Sequence, residues 1–149
     1  MSSRPPKILA VAALVIAIPA AGCGSSSSSS STATSTAAGS AAAGTVAVTL
    51  NEMNVIPTPA TAKTGKVTFD VKNSGAIPHE MVVLKTDKKA ADLGSGNTVP
   101  ETGSVGETGD IAAGKSKTVA FNLKPGHYAL ICNIPGHYSA GMHADFNVS

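Results

Sequence analysis

The sequence predicts an all-β protein, a single antiparallel Greek-key β-sandwich. Apolar and polar residues alternate with a period of two in several short runs, which is typical of strands with one buried face. Only Gly, Pro and Asn turn signals separate these runs, as in sandwiches built from short strands. With 149 residues, the chain is long enough for one domain of ordinary size.

The N-terminal residues 1–22 are predicted to be a signal peptide. Two positive charges precede an eleven-residue apolar run, 8–18, and small residues follow it. The run is too short for a transmembrane helix, which needs about 20 apolar residues. Cys23 directly follows the small residues, so the segment resembles a bacterial lipoprotein signal in which Cys23 is lipidated and becomes the mature N-terminus. Ordinary cleavage without a lipid is the alternative.

Residues 23–44 are predicted to be a flexible linker, because residues 24–44 contain only Gly, Ser, Thr and Ala. Such a composition cannot bury enough apolar surface to offset its ordering entropy. The folded domain is then residues 45–149. We expect it outside the cytoplasm, anchored to the outer face of the cell membrane through Cys23, or periplasmic if Cys23 carries no lipid.

Six strands are predicted in this domain. Three runs alternate cleanly, with apolar sets at Val46, Val48 and Leu50, at Val67, Phe69 and Val71, and at Val119, Phe121 and Leu123. Three further runs, 79–84, 126–132 and 143–148, are apolar on both faces and are expected to be central in a sheet. Turns are predicted at 57–59, 73–75, 114 and 125–126. Residues 87–110 are predicted to form a long Gly-rich loop with at most one helical turn around 90–93.

The charge distribution argues against nucleic-acid binding. Without Arg4 and Lys7, which lie in the predicted signal peptide, nine basic and nine acidic side chains remain. These charges form no basic stripe, which a nucleic-acid surface would need. No Gly-rich phosphate loop follows a predicted strand, so a nucleotide-dependent enzyme is not expected.

One predicted loop carries three possible metal ligands. Four residues separate Cys132 from His137, and four more separate His137 from Met142. A thiolate, an imidazole and a thioether form a soft donor set that suits copper better than Mg²⁺ or Ca²⁺. A trigonal site of two His and one Cys, with a weak axial Met, needs one more His, and His79 at the start of a predicted strand could supply it. Cys132 also lacks a disulfide partner if Cys23 is lipidated.

This pattern resembles that of the cupredoxins, the type 1 blue copper proteins. The segment Asn73-x-Gly75-x-x-Pro78-His79 and the loop 132–137 are most similar to the rusticyanin, auracyanin and sulfocyanin side of that family. The resemblance covers essentially all of 45–149. It implies that copper is the cofactor and that its ligands are His79, Cys132 and His137 in the equatorial positions and Met142 in the axial one.

The resemblance also implies a function. It indicates a one-electron carrier and not an enzyme, a monomer that meets donor and acceptor redox proteins transiently. Electrons would pass at the edge of His137, within an apolar patch predicted from Ile77, Pro78, Ile134, Pro135 and Met142. A copper carrier or sequestering protein without a redox partner is the alternative function. An enzyme with Cys132 as nucleophile is disfavoured, because no orienting Asp or Asn for a histidine base is identifiable.

Several residues near these ligands are expected to have other roles. Glu80 stands where many cupredoxins have Asn, Asp or Ser, whose side chain forms a hydrogen bond near the Cys-bearing strand. His127 is expected on the strand face opposite Cys132. His143 adjoins Met142 and could compete for the axial position, but it is expected to be exposed or to support the site. Met53 and Met81 are expected in the core. Each ligand also has a structural alternative; Cys132 could be an inert buried thiol and Met142 a core filler.

Overall fold

The computed structural model describes residues 44–149, so the predicted signal peptide, the lipid site Cys23 and nearly all of the predicted linker lie outside the described residues. Apart from one short 3₁₀ helix, Ala90–Asp92, the regular structure of these described residues is entirely β. The nine strands are β1 (Gly44–Asn51), β2 (Asn54–Thr58), β3 (Thr61–Ala62), β4 (Gly65–Asn73), β5 (Val82–Lys85), β6 (Ser104–Glu107), β7 (Ser116–Leu123), β8 (Gly126–Ile131) and β9 (His143–Val148). Within residues 44–149, no helix has the length and apolar character to cross a bilayer.

The strands form a two-sheet sandwich, which confirms the predicted fold class. One sheet has the order β2-β1-β4-β7 and the other the order β3-β9-β8-β5-β6. The prediction of purely antiparallel pairing is wrong, because β1 pairs in parallel with β4, and β3 pairs in parallel with β9. Strand β4 follows β1 only after residues 52–64, and parallel neighbours need a connection of about a dozen residues.

The core lies between the two sheets. In β1 and β4 every second residue is buried as predicted, with Phe69 at the centre of the cluster. The Phe69 ring contacts the ring of Phe146 from the opposite sheet, with centroids 5.4 Å apart. On β7, Leu123 is buried, whereas Val119 and Phe121 are only partly buried because β7 is an edge strand.

A second apolar cluster covers the outer face of the β8–β5 part of the other sheet. It joins residues of β5 and β8 to the segment between β5 and β6 and to Tyr138 in the loop between β8 and β9. Its members are Val82, Leu84, Ala90, Val99, Ala129, Ile131 and Tyr138. This explains why β5 and β8 are apolar on both faces. The long segment predicted as a loop is therefore a cover for the sheet.

Three local predictions differ from the structure. The predicted turn at 57–59 is wrong at its start, because β2 runs through Pro57 and Thr58. An edge strand tolerates Pro, since one row of its backbone groups needs no partner. Strand β6 lies inside the predicted loop 87–110; its four residues are largely exposed and show no apolar alternation. The strand predicted over 79–84 begins only at Val82, and His79 instead forms an isolated β-bridge with Ile111.

Candidate metal centre

Cys132 is the first residue after β8 and is fully buried between the sheets. Its N–H donates to the carbonyl of Met142 over 3.0 Å, and the N–H of Met142 donates to the carbonyl of His137 over 3.1 Å. The N–H of His137 in turn donates to the carbonyl of Ile134 over 2.9 Å. These backbone bonds close the loop 132–142 on itself and hold its three candidate ligands in one compact unit.

His79 comes from a different part of the chain and is also fully buried. Its N–H donates to the carbonyl of Ile111 over 3.1 Å, and the N–H of Ile111 donates back over 2.7 Å. The side-chain amide of Asn73 donates to the carbonyls of Ile77 and Ile111, each over 2.8 Å. Asn73, at the end of β4, therefore fixes the approach to His79.

The structure brings three of the four predicted ligands together. One donor atom from each of His79, Cys132 and His137 lies within 4.8 Å of the others. The two Nδ1 atoms are 3.2 Å apart, and Cys132 Sγ is 3.3 Å from His137 Nδ1. Donors about 2.0–2.3 Å from one first-row metal ion have separations close to these. The fourth, Met142, is fully buried in the same core cluster as Cys132.

Burial decides the protonation of the metal-free centre. It raises the pKa of the Cys132 thiol, and it lowers the pKa of His137, with a further decrease from the nearby His79. Without metal, the thiol is therefore protonated and His137 is neutral at pH 7. A metal must displace the thiol proton to bind the thiolate, so its affinity depends on pH.

Glu80, the residue after His79, forms a hydrogen bond with the loop that carries Cys132. Its carboxylate accepts the N–H of Asn133 over 3.1 Å, and its own N–H lies 3.5 Å from Cys132 Sγ. Desolvation raises the pKa of Glu80, and the bond from Asn133 opposes that shift. The longer carboxylate thus links the His79 segment to the Cys132 loop.

The role of Asn133, the residue after Cys132, was not predicted from the sequence. Its Oδ1 accepts the N–H of Val99 over 2.9 Å, and its Nδ2 donates to the carbonyl of Val99 over 3.0 Å and to Glu101 over 2.8 Å. The N–H of Gly136 also donates to the carbonyl of Asn97 over 2.8 Å. The covering segment therefore braces the ligand loop. A polar residue directly after a buried Cys was the available signal.

The remaining histidines lie away from the three donors. His127 Nδ1 lies 2.9 Å from the carbonyl of Thr86, and its Nε2 lies 2.9 Å from Asp145, on the face opposite Cys132 as predicted. His143 is half-buried, with its ring 5.2 Å from the ring of Tyr138. Of the two other methionines within residues 44–149, Met81 is fully buried and Met53 packs against the core, as expected.

The sequence profile described as a cupredoxin-like domain matches residues 11–142. The chain belongs to the cupredoxin family. The cupredoxin fold is shared by auracyanin of Roseiflexus castenholzii, at 24% identity and a TM-score of 0.54, covering 74% of this chain and 99% of that one. It is also shared by auracyanin A of Chloroflexus aurantiacus, at 23% identity and a TM-score of 0.52; the alignment covers 70% of this chain and 98% of auracyanin A. An azurin of Methylomonas sp. strain J aligns at 21% identity with a TM-score of 0.52; the alignment covers 70% of this chain and 97% of the azurin. No curated protein sequence matches this cupredoxin closely.

Copper is the cofactor of this cupredoxin site. His79, Cys132, His137 and Met142 are arranged as in a type 1 copper centre. The soft thiolate and thioether with two imidazoles select copper over hard cations. The apolar core around Cys132 and Met142 shields these two sulfur donors from solvent.

Proposed function

We propose that the protein is a one-electron carrier whose single type 1 copper ion is bound equatorially by His79, Cys132 and His137 and axially by Met142. The convergence of one buried thiol and two imidazole Nδ1 atoms supports this function. The bound copper supplies the one-electron Cu(I)/Cu(II) couple. We propose no enzymatic activity for the protein.

The protein's own contribution is a frame that keeps the donors in place. Backbone bonds close the ligand loop, and the Ile111 bridge fixes His79 from the other side. Such rigid support keeps the donor positions similar in both oxidation states. Little reorganisation is then needed when the charge changes, which favours fast electron transfer over metal delivery.

His137 is the candidate ligand that approaches the surface. It is half-buried and adjoins an apolar patch made of Ile77, Pro78, Ile134 and Pro135; Glu80, Asp110 and Asn133 line the same depression. Ile77 is 39% exposed, whereas Met142 is fully buried, so the prediction that Met142 belongs to this patch is wrong. We propose that donor and acceptor redox proteins dock here in turn, through the small interface typical of transient electron-transfer complexes.

We further propose that the carrier works outside the cytoplasm as a monomer. Residues 1–22 would direct export, lipidated Cys23 would anchor the chain, and residues 23–44 would act as a tether for the domain 45–149. At about 5–6 Å times the square root of length, such a tether has a mean end-to-end distance of roughly 25 Å. That length suits encounters with membrane-bound partners.

The absorption spectrum of the Cu(II)-loaded protein tests the proposed function. We expect an intense visible band from thiolate-to-copper charge transfer, which ascorbate bleaches and an oxidant restores. Cys132→Ser should abolish the band, and the matched variant Cys23→Ser should keep it. A colourless Cu(II) complex of the parent would refute the electron-carrier function, and binding of Cu(I) without a reversible redox cycle would favour the carrier or sequestering alternative.

A further inference from the structure

His79 has a second ring nitrogen that the proposed copper site does not use. Its Nε2 is buried, and no group within residues 44–149 forms a well-shaped hydrogen bond with it. The nearest ionisable group is the carboxylate of Glu52, whose Oε1 lies 3.4 Å from Nε2. A buried ring nitrogen without a hydrogen-bond partner lowers the stability of the fold. A carboxylate at this distance needs only a small movement to accept a hydrogen bond from Nε2–H.

Glu52 is held in this position by the backbone that leads to His79. Its Oε1 accepts the N–H groups of Ala76 and Ile77, over 2.7 and 3.1 Å. A side chain at Gly75 would overlap the carboxylate, since its Cβ would lie 2.6 Å from Oε2 and 2.7 Å from Cδ. Gly75 therefore leaves the space that the carboxylate occupies. Hydrogen bonds from backbone N–H groups, first that of Glu52 itself and then those of Ala76 and Ile77, lower the pKa of Glu52.

We propose that Glu52 is a positioning residue for His79: its carboxylate accepts a hydrogen bond from Nε2–H and so leaves Nδ1 unprotonated, facing Cys132 and His137. A neutral imidazole carries one N–H, and an anionic acceptor at Nε2 selects the tautomer with the proton there. Nδ1 then presents its lone pair to the metal. The effect on copper rests on the proposed function, whereas the effect on the tautomer does not.

Two consequences follow for bound copper. Metal-ligating histidines commonly donate their other N–H to a carboxylate or carbonyl, and loss of that partner typically weakens metal affinity about 10- to 100-fold. The negative charge also favours Cu(II) over Cu(I). Glu52 should thus lower the reduction potential, an effect separable from its bonds to the loop 75–77.

Three variants separate these effects. Glu52→Gln keeps an amide oxygen that accepts from Ala76, Ile77 and His79, but it removes the charge. Glu52→Ala removes the charge and the hydrogen-bond acceptor. Asp87→Asn is the matched control, since Asp87 is an exposed acid beyond the far end of β5.

The first measurement uses metal-free protein and long-range ¹H–¹⁵N NMR of the His79 ring. We expect the Nε2–H tautomer in the parent, in Glu52→Gln and in Asp87→Asn, and a mixture or the Nδ1–H tautomer in Glu52→Ala. The second measurement is the reduction potential of copper-loaded protein. For Glu52→Gln we expect the ratio of Cu(II) to Cu(I) affinity to fall about three- to tenfold, where tenfold is 59 mV, with no change in band position.

The outcomes distinguish the two proposals. If the parent binds no copper with a visible band, the proposed function fails, and the NMR result still decides whether Glu52 positions His79. An unchanged tautomer in Glu52→Ala would overturn the positioning role. The electrostatic part is overturned if the potential of Glu52→Gln equals that of Asp87→Asn.

Discussion

Replacing Asn133 with Ala should destabilise the domain by separating the ligand loop from the segment that covers the sheet. The Asn133 side chain satisfies both backbone groups of Val99, a residue that is 4% exposed, so neither group can turn to water without a rearrangement. Its third bond, to Glu101, is exposed and contributes little. Two lost bonds to a buried backbone should cost about 2–3 kcal/mol. In a domain of this size, that corresponds to a decrease in Tm of about 8–20 °C.

Chemical and thermal unfolding of the metal-free protein would measure this cost. The matched control is Asn147→Ala, an exposed position on β9, which should change the free energy of unfolding by less than about 0.5 kcal/mol. The copper-loaded variant should also release copper faster, because the loop that carries three of the ligands has lost its brace. If Asn133→Ala unfolds like the control, the covering segment does not stabilise the ligand loop.

Other substitutions test separate parts of the structure. Met142→Leu should fold normally and raise the reduction potential, whereas Met142→Gln should lower it, as measured by voltammetry; equal potentials would make Met142 a packing residue only. Tyr138→Phe removes a buried hydroxyl that donates to Ala90 over 2.8 Å and should cost about 1–2 kcal/mol in urea unfolding. The hydrogen bond from the N–H of Ala90, and then the one from His127, lowers the pKa of Asp145 below 3.8. The ionised Asp145 therefore contributes stability above pH 3.8, and this contribution is lost as the pH falls further. Asp145→Asn should flatten the dependence of the free energy of unfolding on pH in this range. Cys23→Ser should release the protein from membranes, and mass spectrometry showing an unmodified N-terminus elsewhere, such as after Ala21, would contradict lipidation.

The sequence predicted the parts of the fold whose pattern is local. Strands β1 and β4 face one core with one side, so their alternation is visible in the sequence. Strand β6 was missed because an exposed four-residue strand needs no apolar residues. The parallel pairing of β1 with β4 depends on where the intervening chain runs, and no local pattern records that.

The candidate site shows the same division. Cys132, His137 and Met142 are close in sequence, so their spacing alone indicated a shared metal. Glu52 lies 27 residues before His79, and nothing in its neighbours distinguishes it from a surface acid. Its relation to His79 depends on the space left by Gly75, which only the structure shows.

The two halves of the candidate site come together only through tertiary structure. Glu80 and Cys132 are 52 residues apart in sequence, and they meet because β5 pairs with β8. Such non-local pairs form late in folding. The unfolded chain therefore does not hold His79 next to the loop 132–142. Copper that binds only the native state must then stabilise it by mass action, by about 2.7 kcal/mol at a free concentration 100 times the Kd. The measured Tm should therefore rise with copper concentration, and the resistance of the protein to proteolysis should depend on how much copper its surroundings contain.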